Sequence, residues 1–283
     1  MIVAVASGKG GTGKTTVAAS LALSLAAEQT PPPLFLDCDV EAPNAHLFLR
    51  PNVQSQQDVN VLIPEVDEAR CTHCGKCAQV CPYQAIALLG KKTLVFPQLC
   101  HGCGSCTAVC PEHAIHEHPH PIGRIARGPA AAGIEFAHGS LNIGEPMAVP
   151  VIRRLKKWAR PVPGQLVLID CPPGAACPVV AALSGADFAL LVTEPTPFGL
   201  HDLKQAAAIA RELGIPAGVV VNRDEGVFPT LDNFCAAAGI PILLRIPFER
   251  EIAEGIARGR NLIEIRPAYL PRLRQLFEKV RAV

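Results

Sequence analysis

The stretch "SGKGGTGKTT", residues 7–16, constrains this chain more than any other ten residues. It follows the β-branched run "IVAVA" directly and leads into "TTVAASLALSLAAE", which reads as a helix. Gly8, four residues, then Gly13, Lys14 and Thr15 is the spacing of a phosphate-binding loop in the strand–loop–helix context that such a loop requires. Gly8, Gly10, Gly11, Thr12 and Gly13 let successive backbone N–H groups turn inward around phosphate oxygens. Lys14 would reach the β and γ oxygens, the Thr15 hydroxyl would ligate Mg²⁺, and Thr16 completes the nucleotide-binding set in the first helical turn. The positive end of the helix dipole faces the same anion.

Apolar strands and helices alternate through most of the remaining chain. "PLFLDCD", "QLVLID", "DFALLVTE", "PAGVVVN" and "IPILLRI" read as strands, with "VPVIRRLKKWA", "GLHDLKQAAAIARELG" and "PTLDNFCAAAG" as helices among them. Continuous apolar strands followed by helices predict an α/β fold, a doubly wound, mostly parallel sheet covered on both faces. A length of 283 residues is enough for one such core plus a small module. Twenty-six basic and 25 acidic residues leave a net charge of +1, which argues against nucleic acid as a partner. No apolar stretch approaches the roughly 18 residues of a membrane span. The N-terminus enters a strand with no charged leader before it, so the expected location is cytoplasmic.

Residues 66–117 differ from their surroundings. "CTHCGKCAQVCP" and "CHGCGSCTAVCP" each give Cys-x2-Cys-x2-Cys-x3-Cys-Pro, the bacterial two-cluster ferredoxin spacing. In that arrangement three thiolates hold one [4Fe–4S] cluster and the fourth crosses to the other. Cys71, Cys74, Cys77 and Cys110 then form one set, and Cys100, Cys103, Cys106 and Cys81 the second. Zinc is the competing ligand, since Cys-x2-Cys pairs bind it too. So few large apolar groups could not hold the segment together, and the metal would supply its fold. The expected organisation is a discontinuous nucleotide-binding domain, 1–65 and 118–283, interrupted by an inserted module at 66–117. Residues 118–145 are expected to be a short β-ribbon returning the chain to the sheet.

Lys9 is an additional lysine inside "GKGGTGKT", and this resembles the deviant Walker A motif of the MinD/ParA family of P-loop ATPases. The nitrogenase iron protein belongs to that family, and Mrp-type ATPases are related to it. The resemblance implies that Lys9 reaches the partner's nucleotide across a homodimer formed on ATP binding. "LFLDCDVEAPN" is similar to the family's switch I, which implies that Asp39 positions the attacking water and Asp37 supports the magnesium site. An aspartate ending a strand can also simply cap a turn. "LVLID" is similar to a Walker B strand, with Asp170 holding Mg²⁺; Gly174 in "PPG" would offer its N–H to the γ-phosphate. "VVVNRD" implies an adenine-reading role for Asn222. With the two cysteine runs, the chain resembles MinD-superfamily ATPases containing an inserted ferredoxin domain. The implied activity is ATP hydrolysis with ATP/ADP and Mg²⁺, coupled to electron transfer through two [4Fe–4S] clusters toward an unidentified redox or client protein. An iron–sulfur carrier or assembly ATPase, and a positioning ATPase with structural or redox-sensing clusters, are the rival readings.

Three further signals remain. Cys177 follows Asp170 by seven residues, an offset similar to that of a cluster-ligating cysteine in the nitrogenase iron protein. It is either an additional functional thiol near a dimer axis or a small buried residue starting the next helix. Cys38, Cys171 and Cys235 are expected to be buried. His113, His116, His118 and His120 could bind metal or merely line an exposed strand. Leu270, Leu273, Leu276, Phe277 and Val280 share one face of a C-terminal helix, which is expected to dock on the sheet rather than on a membrane.

Overall fold

The computed structural model describes residues 1–226 and 228–282. β1 (Ile2–Ala6) runs into the phosphate loop and α1 (Lys14–Leu25), followed by β2 (Leu34–Asp37), α2 (His46–Leu49) and β3 (Ser55–Val66). The cysteine-rich segment contributes α3 (Lys76–Val80), the hairpin β4 (Ile86–Leu89) and β5 (Lys92–Val95), and α4 (Ser105–Ala108). β6 (Ile115–Pro129), β7 (Glu135–Leu141) and α5 (Ala148–Ala159) lead back to β8 (Val167–Asp170). Then come α6 (Cys177–Leu183), β9 (Phe188–Thr193), α7 (Pro197–Glu212), β10 (Ala217–Asp224), α8 (Pro229–Ala237) and β11 (Ile242–Pro247). α9 (Arg250–Ala257), α10 (Leu262–Ile265) and α11 (Tyr269–Arg281) complete the described chain.

A nine-stranded sheet has the order β11-β10-β9-β1-β8-β2-β7-β6-β3. From β11 to β7 the pairs are parallel; β6 runs antiparallel to both β7 and β3. Period-2 alternation sends the two sides of each strand to different cores. Val3, Val5, Phe35 and Leu168 meet α1 and α11, while Ala4, Leu36, Ile169 and Leu191 meet the layer of α5, α6 and α7. α1 is apolar almost all round because it is covered on all sides, by the sheet and by α10 and α11. The C-terminal helix docks as expected. Tyr269, Leu273, Leu276, Phe277 and Val280 are buried, Tyr269 taking the place expected of Leu270.

The ribbon expected at 118–145 is far longer than expected and has a third partner. β6 spans 15 residues and pairs with β3 from Ser55↔Arg127 to Val66↔Ile115, while β7 covers only Gly123–Pro129. The outer part of this β3–β6 ribbon carries residues 67–114 between its strand ends. Its polar, proline-containing sequences "SQQDVNVLIPEV" and "IHEHPHPIGRIARGP" hide the strands from a reading based on apolar runs. His116 and His118 are exposed on it; His118 lies 4.0 Å from Glu65, and His120 is 2.8 Å from Glu145.

Candidate nucleotide and thiol sites

β1 lies between β8 and β9, so the loop after it opens at the carboxyl edge of the parallel sheet, where such folds bind ligands. A cleft of about 360 Å³ there is lined by the phosphate loop, Asp39, Asn222 and apolar residues of α2 and α9, among them Phe48 and Ile252. Gly13 has φ 91°, and a side chain on it would collide with the Asn222 amide. That amide donates to the Thr12 carbonyl oxygen at 2.7 Å, so the residue expected to read adenine also braces the phosphate loop.

Four ionisable groups converge at the bottom of the cleft. Lys14 Nζ lies 2.6 Å from Asp170 Oδ1 and 3.9 Å from Asp39 Oδ2. Burial works against the Lys14 ammonium, but Asp170 and Asp39 outweigh it and hold its pKa above the ordinary value. Asp170 Oδ2 is buried with no hydrogen-bond partner among the described residues. Asp37 accepts from the backbone N–H groups of Asp39, Asn44 and Ala45 at 3.2, 3.1 and 3.0 Å. Its carboxyl therefore clasps the loop that presents Asp39. Burial, reinforced by the Asp170 charge, pushes Asp37 up to about 8. Burial also raises Asp39, against the pull of Lys14.

Two expected phosphate contacts are engaged elsewhere. Gly174, at φ 98°, donates its N–H to the Ser7 carbonyl oxygen at 3.0 Å. Lys9 Nζ lies 3.1 Å from Glu194 Oε2 in its own subunit, and Arg223 holds the other oxygen of Glu194 at 2.7 Å. Neither Ser7 nor Glu194 stood out in the sequence. Their roles come from the meeting of β1, β9 and the segment after β8, which no local pattern reports.

The cysteines separate into two groups. Cys71, Cys74, Cys77 and Cys110 line one small cavity, and Cys81, Cys100, Cys103 and Cys106 line another. The two halves share a backbone. Gly75 and Gly104 take φ 75° and 73°, Gln84 and His113 φ 53° and 48°, and the Ala85 and Ala114 N–H groups donate to Cys81 and Cys110 Sγ, each at 3.3 Å. At the position equivalent to His73, Gly102 is required, because a side chain would strike Val61 at 2.6 Å. Among the described residues no three His, Cys, Asp or Glu side chains are gathered tightly enough for a single metal ion.

Of the other thiols, Cys38, Cys171 and Cys235 are buried, as expected, and burial pushes the latter two up to about 12 and 11. Cys177 is exposed at the first turn of α6, which removes the reading of it as a buried packing residue.

Residues 3–263 match the model of the CobQ/CobB/MinD/ParA nucleotide-binding domain. The chain belongs to this family. An uncharacterized protein of Methanocaldococcus jannaschii is 31% identical over 99% of this chain and 96% of its own length. A MinD septum-site protein from Pyrococcus horikoshii, solved with Mg-ADP, superposes with a TM-score of 0.58 at 20% identity, covering 99% of this chain and 95% of that one. An iron-sulfur cluster carrier protein of Aquifex aeolicus is 28% identical over 36% of this chain and 32% of its own. The CobQ/CobB/MinD/ParA fold thus accounts for the parallel sheet, the phosphate loop and the cleft. No helix among the described residues is long and apolar enough to cross a membrane.

Proposed function

We propose that this chain is a Mg·ATP-hydrolysing iron–sulfur protein in which nucleotide state governs electron transfer through two [4Fe–4S] clusters. The observation that carries the reading is the sorting of eight cysteines into two four-thiol cavities, mounted on strands of the same sheet that carries the phosphate loop. Each set exchanges its fourth cysteine with the other, as the tandem spacing implies. The donor set fits a four-iron cluster better than zinc. Four thiolates around one zinc each lie within about 2.3 Å of it, whereas a cluster takes one thiolate at each of four separate irons. Burial pushes the Cys77, Cys100 and Cys106 thiols up, a cost that bound iron would offset. When bound, such clusters supply one-electron chemistry at low potential.

In the nucleotide cleft, Lys14 would bind the β and γ phosphates on leaving Asp170, and Asp170, through its unpartnered oxygen, and Thr15 would hold Mg²⁺, which would neutralise phosphate charge. Asp39 orients the attacking water, while Asp37 supports the metal site by holding the Asp39 loop. Gly174 exchanges the Ser7 carbonyl for the γ-phosphate. Lys9 leaves Glu194 to neutralise the nucleotide of a second copy, which makes the ATP-bound form a homodimer. The exposure of Cys177 on the segment that follows Gly174 supports a role in meeting a partner or in sharing a cluster between subunits.

Anaerobic protein is expected to contain eight irons per chain, and its dithionite-reduced EPR signal should change on adding Mg·ATP. About two zincs without labile sulfide would overturn the cluster reading. Light scattering of Asp39→Ala with ATP should show a dimer that Lys9→Ala abolishes; a monomer in saturating ATP would defeat that part. The partial match to a cluster carrier and the exposed Cys177 favour a second reading, delivery of a labile cluster. Transfer of iron to an apo-acceptor, lost in Cys177→Ala with the eight cysteines of the tandem runs intact, would select it.

A further inference from the structure

α5 packs against α6 and against β2, β3, β6 and β7. Its Val151 rests on bare backbone: a methyl added at Gly123 of β6 or at Gly139 of β7 would meet it at 3.0 Å. The same added methyl at Gly139 would meet Val40, three residues beyond Asp37, at 2.7 Å. The Val40 carbonyl oxygen accepts from Leu141 N–H at 2.7 Å, and Asn142 N–H donates to Ile122 of β6 at 2.9 Å. Arg154 donates to Gln57 of β3 at 3.1 Å, and Trp158 lies under the Arg127 guanidinium of β6 at 4.6 Å. This face of α5 is fastened to both strands of the ribbon that carries the cysteine segment.

Lys156 fastens α5 to the opposite neighbour. Its Nζ donates to the carbonyl oxygens of Ala181, Ala182 and Ser184 at 3.2, 2.8 and 2.7 Å. These acceptors are unpaired carbonyls at the C-terminal end of α6, where a cation also meets the negative end of the helix dipole. All three ammonium protons are committed to one helix end, which a surface lysine does not do. α6 begins three residues after Gly174, whose N–H is held by Ser7.

We infer that α5 is the mechanical link between the γ-phosphate-sensing segment and the cysteine-bearing ribbon, and that Lys156 is the positioning residue that makes α6 and α5 move together. When Gly174 exchanges Ser7 for a phosphate, α6 shifts. Lys156 carries that shift into α5, and Val151, Arg154 and Trp158 pass it to β3 and β6. Coupling of this kind needs an element with two arrangements, and the choice of Gly174 between two acceptors supplies it. The inference rests on the nucleotide-switch reading above.

Hydrogen exchange of the full, iron-loaded chain, with and without Mg²⁺ and a non-hydrolysable ATP analogue, tests it. In the wild type the analogue is expected to protect residues 8–16 and to change exchange in 55–66 and 115–129 by about threefold or more. Lys156→Met should keep the protection at 8–16 and the iron content but lose the ribbon response, and Lys156→Arg should restore it. The double variant Arg154→Ala, Trp158→Leu, which leaves the α6 clamp and the Val151 contacts intact, should keep the response in α5 and weaken it in the ribbon. A ribbon response in Lys156→Met equal to wild type, or none in wild type despite protection at 8–16, overturns the link. Absence of protection at 8–16 defeats the nucleotide reading instead.

Discussion

The nucleotide-binding region and residues 67–114 differ in what holds them together. The first has two apolar layers on a central sheet, with α1 buried all round and residues such as Leu21, Phe35, Leu155 and Leu168 without solvent contact. In the second, Ile86 and Cys106 form a small buried cluster with Ile115 of β6, and Ala85 and Cys100 reach the main core, while Leu89, Phe96 and Leu99 are exposed at 62%, 40% and 49%. A fully buried aliphatic or aromatic side chain stabilises by about 1.5–3 kcal/mol, so the first region can fold on burial alone and the second cannot. One chain thus combines a region stabilised by water exclusion with one whose own burial is too small to order it, the shortfall that the ligation proposed above would make up.

The sharpest way to break this contrast is to strip the proposed metal from the thiols. Chelation under oxidising conditions should abolish protection of backbone amides throughout 67–114, with tryptophan and far-UV signals of the sheet kept; persistent protection there would show that the segment folds without ligation. Next in size is Lys14→Ala, expected to weaken Mg·ATP binding by about 100-fold or more, as loss of a central charge in a buried anion site does. Calorimetry should find this with iron content unchanged, and affinity within a few-fold of wild type would refute the site. Leu273→Ala, in α11 against α1, should cost about 2–5 kcal/mol in denaturant unfolding of the nucleotide region. A cost below about 1 kcal/mol would show that the C-terminal helix is not part of that core.

A further expected effect is in pH dependence. Asp37 has its pKa raised by burial from 3.8 to about 8, so the folded chain holds this proton where the unfolded chain has released it. Its contribution to stability is complete below pH 4 and is lost as pH rises toward 8. Asp37→Asn should therefore flatten the fall in nucleotide-free stability across that window. Parallel slopes for variant and wild type would show that Asp37 is ionised throughout.

Much of this was legible in sequence because two signals are local. Phosphate-loop spacing and tandem cysteine spacing are read over a dozen residues each, and the apolar strands β1, β2, β8, β9, β10 and β11 declare themselves by composition. β3 was hidden and β6 was foreseen only as part of a short ribbon: both are polar, contain Pro64, Pro119 and Pro121, and along the outer ribbon pair only with each other. Glu194, Ser7 and Lys156 were equally hidden, since each acts on a group far away in the chain. Asp37 was found, but its bonds to the backbone of Asn44 and Ala45 make it a clasp for the neighbouring loop, which the motif alone does not reveal.

The ribbon has one more consequence, for how copies of this chain avoid one another. Beyond Gly123, β6 is no longer covered by β7, and β3 is the last strand of the sheet, so the outer ribbon has open edges that could template foreign strands. Pro119 and Pro121 in β6 and Pro64 in β3 have no N–H to offer such a visitor. The arm that carries the cysteine segment into solvent is thereby denied a regular ladder on which a neighbouring chain could polymerise.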